Sequence, residues 1–130
     1  MTLRVRRVVT DHDRKGRAII GSDETRRDAV ARRPGHSRLD LWKGKDGTVF
    51  RLVEYQPGVA PRNHRTETVD YAVVLSGELE MELDGKTVRL KQGDVLVQQN
   101  TVHNWVNRGS QSCVVAFVLV PAKGAKGAVG

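Results

Sequence analysis

A single cysteine, Cys113, in a chain of 130 residues removes two common staples of small folds. No intrachain disulfide can form, and no Cys-based zinc site can be built. Cys113 stands at the head of the apolar run Val114-Val115-Ala116-Phe117-Val118-Leu119 and reads as a buried core thiol rather than a nucleophile. An apolar leader is also missing, since the chain starts Met1-Thr2-Leu3-Arg4-Val5-Arg6-Arg7. No segment approaches the roughly 18 apolar residues of a membrane span. The expectation is a cytoplasmic protein that makes no membrane contact.

Aromatic residues are scarce, at 5% of the chain, whereas charge is plentiful and uneven. Residues 1–51 hold 14 basic and 7 acidic side chains, and residues 52–130 hold 8 of each. A basic excess can serve nucleic acid or an anionic small molecule. Here the arginines alternate with acids, as in Asp23-Glu24-Thr25-Arg26-Arg27-Asp28, and no aromatic residue accompanies them as a stacking platform. Nucleic acid is therefore the poorer fit. A solvated basic face and help with an acidic small molecule both remain open.

A length of 130 residues suits one domain with one core. Short β-like runs at 5–10 and 17–20 flank the polar turn Asp11–Gly16. Residues 22–33 read as a short helix, with Ser22 or Asp23 as cap, acids early, Arg32 and Arg33 late, and Pro34-Gly35 as the stop. From Leu39 the pattern is β, with turns at Asp46-Gly47, Pro57-Gly58, Ser76-Gly77, Asp84-Gly85, Gln92-Gly93 and Asn107–Ser110. Glu78-Leu79-Glu80-Met81-Glu82-Leu83 alternates strictly, and Asp84-Gly85 is a two-residue hairpin turn. Pairing Leu83 with Lys86 sets Met81 opposite Val88 and Leu79 opposite Leu90 on the inner side. It also sets Glu80 opposite Arg89 and Glu78 opposite Lys91 outside. Many short strands with regular turns point to an antiparallel sandwich or barrel. The expected layout is N-terminal strands and a short helix over 1–38, a barrel over 39–121, and a Gly/Ala/Lys-rich flexible tail over 122–130.

Two histidines sit beside strands, unlike His12 and His36 in the polar N-terminal part. If the chain is extended after residue 63, His64, Thr66, Thr68 and Asp70 share one face, and so do His103, Trp105 and Asn107. Two imidazoles and a carboxylate suit a divalent metal with open positions. A hydrogen-bonded pair of core histidines with Asp70 as partner explains the spacing equally well.

The stretch Gly58 to Gly77 resembles the first cupin motif. Gly58 and His64 match, Thr66 stands where a second His is usual, Asp70 stands for the Glu, and Gly77 follows at the family distance. Gly93 to Asn107 resembles the second motif. Gly93-Asp94, His103 and Asn107 match, Gln98 and Asn100 replace the usual Pro and Gly, and the spacing is one residue shorter. The resemblance covers about residues 48–120. It implies an all-β, double-stranded β-helix (jelly-roll) cupin barrel, with a less regular N-terminal segment and often a homodimer. It implies a divalent metal (Fe, Mn, Ni or Zn) held by His64, Asp70 and His103, with the same three side chains at the reaction centre. Trp105, Thr66, Arg62 and Met81 would then meet a small-molecule substrate, with Leu79 and Leu90 beside Met81. The implied function is a metal-dependent enzyme acting on a small organic acid, carbonyl compound or aromatic substrate by decarboxylation, isomerisation or oxygenation. Two alternatives are a metal-free enzyme with His103 as general base and a non-catalytic binding cupin.

Overall fold

The computed structural model describes residues 3–63 and 67–122. Among the described residues eleven strands are formed: β1 (Val5–His12), β2 (Ala18–Arg26), β3 (Val30–Arg33), β4 (His36–Lys43), β5 (Val49–Tyr55), β6 (Thr68–Ser76), β7 (Glu78–Leu83), β8 (Lys86–Lys91), β9 (Val95–Gln99), β10 (Asn104–Val106) and β11 (Cys113–Pro121). All pairings are antiparallel. A six-stranded sheet runs β3-β4-β5-β11-β6-β9, a three-stranded sheet runs β10-β7-β8, and β1 and β2 form a separate ribbon. The architecture is the expected all-β jelly roll. The described residues contain no helix, so none is long and apolar enough to cross a membrane.

The β7–β8 hairpin has the register expected from its alternation, from Glu78↔Lys91 through Leu79↔Leu90, Glu80↔Arg89 and Met81↔Val88 to Leu83↔Lys86. Leu79, Met81 and Leu90 are buried, whereas Val88 remains 39% exposed. Each fully buried side chain of this size contributes about 1.5–3 kcal/mol.

The helix expected over 22–33 is not formed. Ser22 to Arg26 pairs instead with Val5 to Val9, and Val30–Arg33 is a short strand. The charges that would suit a helix dipole find cross-strand partners, Arg6 with Asp23 at 2.7 Å and Arg7 with Glu24 at 2.8 Å. A helix there would have had only Ala29 and Val30 to bury, too little to hold it against a sheet. The intended stop, Pro34-Gly35, is the hairpin turn between β3 and β4, with Gly35 at φ 78°. The N-terminal segment is thus strands throughout, and its expected irregularity takes the form of register shifts in both of its pairings, at Val9/Thr10 and Ala31/Arg33.

Two apolar clusters lie on opposite faces of the large sheet. Val53, Tyr55, Val115 and Phe117 face the barrel interior with Leu79, Met81 and Trp105. Leu39, Leu41, Leu52 and Ala116 point the other way and are covered by Leu3. Arg7 and Arg26 fasten the ribbon to β4 by donating to the carbonyls of Leu41 (2.7 Å) and Asp40 (3.3 Å). Strand alternation then turns the polar residues of β4, His36 and Arg38, toward the interior.

Cys113 is fully buried, and burial pushes its thiol up to about 11. It is a core residue, not a reactive one.

Candidate functional site

A cavity of about 90 Å³ opens between the inner face of the six-stranded sheet and Trp105 of β10. Its apolar wall is Val53, Tyr55, Phe117, Leu119 and Trp105. Trp105 is 4% exposed, with its ring centroid 5.7 Å from that of Tyr55 and 6.0 Å from that of Phe117. The rest of the lining is charged or polar: Arg33, His36, Arg38, Arg51, Arg62 and Asp70.

Asp70 sits on β6, 5% exposed, and its Oδ1 accepts a hydrogen bond from the Thr68 hydroxyl at 2.6 Å. The shared face of Thr68 and Asp70 is the alternation read from sequence. His64 and Thr66, two residues expected on that face, lie outside the described residues, as does Arg65 between them.

His103 is 3% exposed, is not among the residues that line the cavity, and packs edge-on against Trp105 with ring centroids 5.7 Å apart. Its Nδ1 is 2.8 Å from the Thr101 carbonyl, which can only accept, so Nδ1 carries a proton. In the neutral ring the basic lone pair is therefore on Nε2. Burial lowers the pKa of His103, and the Thr101 contact offsets that only in part.

The turn that delivers His103 passes through Asn100, 1% exposed at φ 52°. Asparagine is among the few residues that tolerate this left-handed region, so it can occupy a position where a related motif has glycine. Gln98 holds the same turn through its amide, which donates to the Thr101 carbonyl and hydroxyl. Asn107 closes the other side. Its side chain donates to the Tyr55 and Gln111 carbonyls, both at 2.9 Å, and its Oδ1 accepts from Gly109 N at 3.0 Å.

Arg62 lines the cavity from the segment after β5, held there by Asn104. Asn104 Oδ1 accepts the Arg62 backbone N–H at 2.7 Å, and its Nδ2 donates to Glu82 at 2.9 Å. Asn104 is 3% exposed, although alternation with His103 and Trp105 would turn it outward. The segment bearing Arg62 covers it. Met81 belongs to the barrel core and does not line the cavity, and neither do Leu79 and Leu90.

Sequence reasoning missed His36, Arg33, Arg38 and Arg51. The signal was present as the alternation His36-Ser37-Arg38-Leu39-Asp40-Leu41. It shows one polar and one apolar face without saying which faces the cavity. His36 packs edge-on against Tyr55, with centroids 5.3 Å apart, and its Nδ1 is buried without a partner. Burial, reinforced by repulsion from Arg33, pulls its pKa down to about 4 from 6.5.

That depression has a stability consequence. Between pH 6.5 and about 4 the unfolded chain holds a proton on this residue and the folded chain does not. Stability therefore rises with pH across this window, and acidification erodes it. His36→Phe keeps the ring and removes the titration. Urea unfolding across the window is expected to give a shallower pH slope for the variant, with a remainder from His103. Equal slopes in both proteins would show that His36 is solvated.

A sequence profile of the cupin domain matches residues 51–120. The chain belongs to the cupin family. This cupin is 55% identical over 79 residues to oryzines biosynthesis cluster protein J of Aspergillus oryzae, covering 59% of this chain and 44% of that protein. It is 39% identical over 83 residues to the cupin-domain-containing oxidoreductase srdD of Neurospora crassa, covering 61% of this chain and 42% of that one. The chain thus spans less than half the length of these curated relatives. Among solved structures, the polyketide cyclase RemF of Streptomyces resistomycificus superposes with a TM-score of 0.62 at 23% identity, over 72% of each chain, a likeness of fold. KdgF from Halomonas sp. superposes with a TM-score of 0.59 at 26% identity, over 72% of this chain and 87% of that chain.

Proposed function

We propose that this cupin is an enzyme that takes a small organic acid, carbonyl compound or aromatic molecule into the cavity beside Trp105 and works on it with His103 and Asp70. A divalent metal (iron, manganese, nickel or zinc) would be held by His64, Asp70 and His103. The observation that carries the reading is the setting of His103. A buried imidazole whose Nδ1–H is tied to a carbonyl presents a fixed, basic Nε2, the usual arrangement of a metal-binding histidine.

In kind, two imidazoles and a carboxylate suit such a metal. Among the described residues, no three His, Cys, Asp or Glu side chains come together. The set is complete only with His64, which lies outside them. Bound there, the metal would supply a Lewis acid for a carbonyl or carboxylate oxygen. The chain's own residues do the rest. Thr68 orients Asp70, Thr101 orients His103, and Trp105 keeps water from that side of the site.

A second reading has a specific observation behind it. Thr66 stands where the family usually has a second histidine, and Asp70 is one methylene shorter than the usual Glu. A metal-free enzyme would use His103 Nε2 as general base, kept neutral by burial. A cupin that only binds its ligand shares the same cavity.

Metal analysis by mass spectrometry separates these. Untagged wild type offered iron, manganese, nickel and zinc is expected to carry near-stoichiometric metal, lost in both His64→Ala and His103→Ala. A wild type that stays empty would overturn the metal reading and move the chemistry to His103 as base.

A further inference from the structure

The lining of the cavity is unbalanced in charge. Four guanidinium groups, of Arg33, Arg38, Arg51 and Arg62, face it, and Asp70 is the only carboxylate among the described lining residues. Arg51 is answered from beside the cavity, where its Nε donates to Asp40 at 2.6 Å. The Nε of Arg33 is spent on the Ala60 carbonyl at 3.0 Å. The Arg38 side chain is half-buried and makes no hydrogen bond or ion pair among the described residues, with Asp40 attracting it only at longer range. Burial and repulsion from Arg51 lower its pKa, so nothing in the fold compensates its charge fully. Next to it along β4, His36 keeps a buried Nδ1 with no partner. A folded chain leaves such groups unanswered at a cost, and a ligand that answers them recovers it.

The rest of the lining is aromatic and aliphatic, with Trp105 from the smaller sheet and Phe117 and Leu119 from β11, where Phe117 is the cross-strand partner of Arg51. The cavity therefore offers both cationic and apolar lining, and its volume of about 90 Å³ admits a short chain or a single ring. Guanidinium forks match carboxylates in shape as well as charge.

We propose that Arg38 and His36, flanked by Arg33, form an anion subsite that takes the carboxylate of a small organic acid, whose apolar or aromatic body lies against Trp105 and Phe117. The subsite rests on reading this cavity as the substrate site, and it narrows the substrate class to acids. Its residues come from β3 and β4, outside the 51–120 segment that defines the family match. Specificity for the acid is thus carried by a part of the chain the family profile does not include.

The test uses the full chain after treatment with a chelator, so that its outcome does not depend on a metal. Trp42→Phe leaves Trp105 as the sole indole, and its fluorescence is followed during titration with benzoate, benzamide and inorganic phosphate. Benzoate is expected to bind saturably and benzamide at least about tenfold more weakly, as loss of one charge-assisted bond implies. Arg38→Gln is expected to weaken benzoate by a similar factor and leave benzamide unchanged. The Arg38 guanidinium makes no hydrogen bond or ion pair among the described residues, and its repulsion from Arg51 offsets its attraction to Asp40, so this variant should keep the wild-type unfolding midpoint. Equal affinity for benzoate and benzamide, or an unchanged benzoate affinity in Arg38→Gln, would overturn the subsite. Phosphate binding as well as benzoate would show a site for a free anion and overturn the organic acid. Loss of metal from His64→Ala or His103→Ala tests the metal reading separately, so either result can fail without the other.

Discussion

Gly77→Ala is expected to lose about 2–5 kcal/mol of folding stability. Two costs combine. Gly77 lies between β6 and β7 at φ 79°, and a residue with a Cβ pays about 1–2 kcal/mol in that region. An added Cβ would also lie 2.5 Å from the Ser112 carbonyl oxygen and 2.9 Å from Cys113 Cα. These neighbours are backbone, at the head of β11, and cannot swing aside as a flexible side chain would. Overpacking of this kind typically adds about 1–3 kcal/mol. Gly85, in the hairpin turn between β7 and β8, is the matched comparison. Its φ is 69°, but nothing lies within 4 Å of the position a Cβ would take. Gly85→Ala should therefore show the conformational cost alone. Urea unfolding of both variants separates the two costs, with a midpoint shift at unchanged slope as the readout. Equal losses in the two variants would mean that β11 yields to the added methyl, and the close approach would not be what requires glycine at 77.

Trp105→Ala is expected to cost about 3–5 kcal/mol, as for other buried aromatic truncations. The ring stands among Tyr55, His103 and Phe117, with centroid distances of 5.7–6.0 Å, and its strand pairs Trp105 with Met81 of β7. Its loss leaves a hole between the two sheets that a three-residue strand cannot close. Edge-on aromatic pairs add about 0.5–1.5 kcal/mol beyond area. Trp105→Phe keeps part of the packing and should recover most of the stability. Because the ring also walls the cavity beside Asp70, benzoate affinity measured by calorimetry should fall in Trp105→Ala. A loss of stability under about 1 kcal/mol would mark Trp105 as a loose flap rather than a wall.

Much of the barrel could be read locally. Strict alternation in Glu78–Leu83, the Asp84-Gly85 turn and opposed charges across the strands all specify one register, and that register is formed. The strands over 39–120 and the burial of Cys113 follow from the same period-2 logic. The N-terminal third could not be read so. Between Ser22 and Arg33 the charge pattern suits a helix dipole as well as a cross-strand partner. The choice was made by Val5–Val9, 17 residues away for each ion pair. Local propensity carries no information about such a partner.

The candidate site divides in the same way. Asp70, His103 and Trp105 were legible because each sits on or beside a well-patterned strand, and alternation assigns its face. His36, Arg33, Arg38 and Arg51 were not. By itself the sequence determined that β4 has one polar and one apolar face, that an antiparallel barrel follows, and which residues of its later strands share a side. Only the tertiary structure decided which face of β4 meets the cavity. Leu39 and Leu41 could have filled the interior, but Leu3 and the β1–β2 ribbon cover them on the outer face. Burial of apolar area is satisfied on either side of a sheet. With the outer side taken, the arginines and His36 turn inward and become the charged part of the cavity lining.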